Sequence, residues 1–162
     1  MRRHRRKFHT VTLLRKWFGW HQEDVWGVSR RFPIYAVADG VTLPGIGELV
    51  TRRGSKPAAT IFCKRAVQFL ERNFDHLSER TIRSAYAWAN RSIRKLNTGK
   101  RHVLSTVAVL VAVKNQHILG SRVTDCGFAL IRAGKVVFKT PEYWSRLKKS
   151  RRQGYGKLDG TK

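Results

Sequence analysis

Residues 33–40 read Pro33-Ile-Tyr-Ala-Val-Ala-Asp-Gly40, an apolar run that ends on a carboxylate followed at once by glycine. The segment from Ile34 to Ala38 predicts a buried strand. Asp39 at its end, with Gly40 letting backbone come close, is the kind of position where oxygen donors hold a hard cation. The setting makes this carboxylate conspicuous, because the 162 residues carry 10 acids against 34 lysines and arginines. A second acidic spot, Glu23-Asp24, stands just before another strand-like run, Val25 to Val28. Ser29-Arg-Arg31 and Pro33 separate the two runs, a spacing that predicts antiparallel neighbours.

Outward from this pair, residues 39–55 hold Gly40, Pro44, Gly45, Gly47 and Gly54, and read mostly as loop. Ser55 with Pro57 then opens a helix, a capping hydroxyl followed by proline in the first turn. Ile61, Phe62, Ala66, Phe69 and Leu70 recur at helical spacing, which carries the helix to about Asn73. Ser78 caps a second helix with Ile82, Ala85, Ala89, Ile93 and Leu96 on one face, ending at Asn97-Thr-Gly99. Arg83, Arg91, Arg94 and Lys95 fall on its other face. The period then changes: Val107 to Val113 is continuously apolar and predicts a central strand buried on both faces. His117 to Arg122, Phe128 to Arg132 and Lys135 to Lys139 follow, the last two joined across Ala133-Gly134 as a tight hairpin. Strands, two helices and an antiparallel meander make an α+β chain, without internal repeats or low-complexity segments.

Composition bounds the function. With 41% hydrophobic residues the chain can build one core. Its longest apolar run falls well short of the roughly 20 residues a membrane-spanning helix needs. Cys63 and Cys126 have no C-x-x-C spacing, so neither a structural zinc site nor a disulfide scaffold is expected, and the default setting is reducing and cytoplasmic. A net charge of +24 suits polyanions such as nucleic acid. The organisation expected is a basic arm over 1–20, a domain over 21–140 and a basic tail over 141–162. A transit peptide is a weaker reading of the arm, which is poor in serine. The six histidines show no ligand pairing at helical spacing, and Ser105-Thr106 reads as strand packing without an accompanying base. Trp17, Trp20 and Trp26 interleave with basic residues and could stack bases, but beside strands they read first as core.

Several short motifs stand in a telling order: Glu23-Asp24 before the first strand, Ala38-Asp39-Gly40, Gly47-Glu48, Ser105-Thr106 before the buried strand, and Thr124-Asp125-Cys126-Gly127. In this order they resemble the metal-dependent type 2C protein Ser/Thr phosphatases, over about Gln22 to Gly160. The resemblance implies an α-β-β-α sandwich of antiparallel sheets and helices. It also implies two manganese or magnesium ions that activate a water to attack a phosphoprotein's phosphorus in line. By resemblance Asp39 would bridge the ions, Gly40 would offer its carbonyl, Glu23 would hold one ion and Asp125 would serve an accessory position. Gly19 stands where the family carries a phosphate-gripping arginine, and Arg15 is the nearest substitute, so no residue is assigned to the substrate phosphate. The family's remaining metal-binding aspartates and last strands would lie beyond this chain, and Asp159-Gly160 is a poor stand-in because no apolar strand precedes it. The expectation is therefore a truncated phosphatase domain, or else a non-catalytic phosphatase-like scaffold whose basic surface binds nucleic acid or another polyanion.

Overall fold

Alternation along residues 34–41 sets the architecture: Ile34, Ala36, Ala38 and Gly40 are buried, whereas Val37 and Asp39 between them are exposed. A computed structural model of the protein describes residues 23–41, 55–99, 103–124 and 126–141. The basic arm and tail, Gly19, Arg15, Gly47-Glu48, Asp125 and Asp159-Gly160 all lie outside these residues. Strand β1 (Val25–Val28) pairs antiparallel with β2 (Ile34–Val41), Val25 opposite Ala38. β2 runs three residues past the apolar run, so Asp39 and Gly40 lie within the strand rather than in a loop. The ladder explains the extension. Asp39, Gly40 and Val41 pair with Val107, Thr106 and Ser105 of β3 (Ser105–Lys114), and these partners outweigh the low strand propensity of Asp and Gly.

The four-stranded sheet has the order β1-β2-β3-β4, with β4 spanning His117–Val123. A two-residue turn joins β3 to β4 through Asn115 and Gln116, both at positive φ, a mirror-image turn whose twist suits a hairpin. The predicted terminal hairpin forms as a separate two-stranded sheet of β5 (Ala129–Arg132) and β6 (Lys135–Lys139), with Ala133 and Gly134 again at positive φ. It approaches the larger sheet at Gly120, where any side chain would collide with the Phe128 ring. Phe128 in turn lies 5.4 Å from Phe138 of β6, centroid to centroid.

Helices α1 (Lys56–Arg72) and α2 (Glu79–Asn97) cover one face of the sheet. Ser78 caps α2 as its sequence suggests, its hydroxyl accepting the Thr81 N–H at 3.2 Å. The core they close is built from Ile34, Phe62, Leu70, Ile82, Ile93 and Leu110, with Tyr86 against Phe62 at 5.1 Å. Alanines at 58, 59, 66, 85 and 89 are buried among them, and their small size lets the helices approach sheet and each other. Contact is close at β1: a Cβ on Gly27 would stand 3.1 Å from that of Cys63. Tyr86 spans the core, donating its hydroxyl to the Ser121 carbonyl of β4 at 2.7 Å, and burial pushes its pKa up. Asn97 exchanges two hydrogen bonds with the backbone of Leu104 and so fastens the end of α2 to the lead-in of β3. No helix among the described residues is long and apolar enough to cross a membrane.

Candidate functional site

The end of the sheet where β2 finishes and β3 starts is polar and closely built. Ser55, Ser105 and Thr106 are all buried there, an arrangement that demands partners for every hydroxyl. Thr106 donates to the Asp39 carbonyl at 2.6 Å. Ser55 donates its hydroxyl to the Val41 carbonyl at 2.7 Å and accepts a longer bond, 3.4 Å, from the Ser105 N–H. Ser55 is thus the residue before α1, as its sequence suggests, but its hydroxyl does not cap the helix. It ties the helix start to β2 instead, because the strand end lies within reach and its carbonyl needs a donor. A buried Ser-Thr pair leading an otherwise apolar strand was the sequence signal for this network.

Gly40 has a steric reason to be glycine. A Cβ there would stand 2.7 Å from the Ser55 carbonyl carbon and 2.9 Å from the Lys56 nitrogen, inside van der Waals contact with backbone that cannot easily retreat. Glu23, half-buried, completes the junction: its Oε1 accepts the Ser55 N–H at 2.8 Å. A carboxylate at this amide does what the glutamate of a capping box does, satisfying the N-cap backbone donor, and its charge suits the positive helix start. Here the glutamate comes from the segment that leads into β1 rather than from the helix itself. Continuing the β1–β2 register two residues past Val25 sets Glu23 across from Gly40.

The sequence-predicted site residues are therefore brought together in part. Glu23 and Gly40 meet on the helix side of the sheet end, while Asp39, one residue along β2, is exposed on the opposite side. Asp125 lies outside the described residues. The donor chemistry fits a hard divalent cation, two carboxylates and a backbone carbonyl, all oxygen. The number of donors is small: among the described residues no group of three or more His, Cys, Asp and Glu is gathered to hold a metal ion. Trp26 does not join the core that its position beside a strand suggested, since β1 is an edge strand and Trp26 points away from the helices, 46% exposed.

Antiparallel strands backed on one side by paired helices, with a second antiparallel sheet beginning beside them, define the class: the α+β fold of the type 2C phosphatases. Among solved structures, that of the photosystem II phosphatase PBCP, a type 2C enzyme, matches with a TM-score of 0.50 and 23% sequence identity, over 74% of this chain and 43% of that one. At that identity the likeness concerns the fold, and the chain spans less than half the length of its neighbour. No protein-family model and no curated protein matches the chain.

Proposed function

We propose that this chain carries part of the site of a metal-dependent hydrolase of phosphomonoesters, with a phosphoserine or phosphothreonine protein as substrate. The observation that supports this most is the placement of Glu23, Asp39 and Gly40 at one end of the sheet in a type 2C phosphatase fold. By the family pattern Asp39 and the Gly40 carbonyl would hold manganese or magnesium, two ions, and Glu23 would join them by turning from the Ser55 N–H round the strand end. The ions would supply positive charge against the phosphoryl oxygens. The chain's own residues do the positioning. Ser55 holds the Glu23 carboxylate by its N–H, Thr106 holds the Asp39 carbonyl, and the bare Cα of Gly40 lets the helix start close upon the strand. Asp39 itself is exposed on β2. Cysteine usage suggests the cytoplasm as its setting.

The test is hydrolysis of a phosphopeptide by the purified chain with manganese. Phosphate release above a metal-only blank, abolished in Asp39→Asn, is the expected result. Release no faster than the blank overturns the enzymatic reading and leaves the fold untouched.

A further inference from the structure

The side of α2 turned away from the core has no part in the site just described. Its inward side chains are Ile82, Ala85, Tyr86, Ala89 and Ile93. With 3.6 residues per turn, Arg80, Arg83, Arg91, Arg94 and Lys95 fall within an arc of about 120° on the opposite side, and all five are exposed. No acid interrupts them, since Glu79 in the first turn is the helix's one carboxylate. At a rise of about 1.5 Å per residue the row from Arg80 to Lys95 is about 22 Å long, enough to follow several successive phosphates of one nucleic-acid strand. Beside the row stands Trp88, 38% exposed, its ring 6.2 Å from Phe69 and with the Arg91 guanidinium 5.4 Å from its centroid. Phe69 and Arg91 hold the indole at the surface, where a base can stack on it.

We propose that this face of α2 is a nucleic-acid-binding surface that grips the phosphodiester backbone of a single strand and stacks a base on Trp88. Charge complementarity selects a polyanion, and the ring selects one that carries planar groups. A membrane surface fits less well. The apolar half of α2 is spent in the core, and the exposed face offers charge without the apolar side an interfacial helix buries in lipid. Recognition of this kind reads backbone rather than sequence, so affinity should depend steeply on salt and little on base order. The proposal is independent of the phosphatase reading.

The test uses the full chain and a labelled 20-nucleotide single strand of mixed sequence, titrated across a salt series. Arg83→Gln/Arg91→Gln/Arg94→Gln should flatten the slope of log affinity against log salt by about 2 and weaken binding at least tenfold at about 0.1 M salt. A charge-matched control, Arg30→Gln/Lys64→Gln/Lys135→Gln, removes three exposed cations elsewhere and should change binding less than threefold. Trp88→Ala should weaken the single strand about tenfold. Equal losses in the two triple variants, or an unaltered slope in the α2 variant, would assign binding to overall charge or to the basic ends and overturn the proposal. Full affinity in Trp88→Ala, or equal affinity of the wild type for polyglutamate or anionic vesicles, would overturn the choice of nucleic acid as partner.

Discussion

The two faces of the four-stranded sheet are made from the same strands and end in opposite states. Toward the helices, Ile34, Ala36, Ala38, Ala108, Leu110 and Ala112 are sealed beneath Phe62, Leu70 and Ile93. On the other face Val107 and Val109 are buried, but Val37 beside them is 47% exposed and Trp26 nearly as much. The large, well-packed core is on the first face, whereas Asp39, the carboxylate proposed to bind a cation, is on the second. Stability and site are therefore separable in this chain, joined only at the strand end where Gly40 and Glu23 meet α1.

The contrast can be broken at its strongest point first. Phe62→Ala empties the centre of the helix-covered face and should cost about 3–5 kcal/mol in urea unfolding, while Val37→Ala on the opposite face should cost under about 1 kcal/mol. Similar losses for the two would mean that both faces are equally packed. Gly40→Ala comes next, because its Cβ has to push the start of α1 away. A drop of about 1–3 kcal/mol in thermal or urea unfolding is expected, and an unchanged midpoint would show that the junction is looser than its 2.7 Å contact implies.

Glu23→Ala leaves the Ser55 N–H without its acceptor and should cost about 1–2 kcal/mol even in chelator, with Glu23→Gln recovering part of the loss. A loss confined to manganese-containing buffer would instead make Glu23 a metal ligand alone. The smallest effect expected is a pH dependence on the helix-covered face. Burial, aided by the nearby Cys126 thiol, pushes the Cys63 thiol from 9.0 up to about 12. A raised folded pKa means that the neutral thiol favours the fold. This contribution is complete below pH 9 and is lost as pH climbs from 9.0 through about 12. The urea midpoint of the wild type should therefore fall more steeply above pH 9 than that of Cys63→Ala, and thiol reagents near neutral pH should modify the half-buried Cys126 before the buried Cys63. Parallel alkaline profiles would remove Cys63 as the cause.

Much of the fold was legible in the sequence because its signals are local. β1 shows its full extent in Val25 to Val28, the turns at Ala133-Gly134 and at Ser78 carry their own chemistry, and α1 and α2 announce themselves by periodicity. Less legible was anything that depended on a partner strand. The strand beginning at Ile34 looked finished at Ala38, yet pairing with β3 carries it to Val41. Ser55 looked like a capping hydroxyl, yet it serves Val41. Asp39 and Glu23 were recognisable as acids out of place in a basic chain, but not the division of labour between them.

By itself, then, the amino-acid sequence determined the order of elements, the apolar faces of both helices, the charge of α2's outer side and the identity of the few carboxylates available to hold a cation. These follow from spacing and composition, which neighbours along the chain decide. The tertiary structure alone decided that Glu23 reaches across 32 positions to the first amide before α1, that Gly40 must lack a side chain, and that Asp39 faces away from both. The physical reason is that hydrogen-bond partners and close contacts at the sheet end come from strands and a helix far apart in sequence, and only packing brings them together.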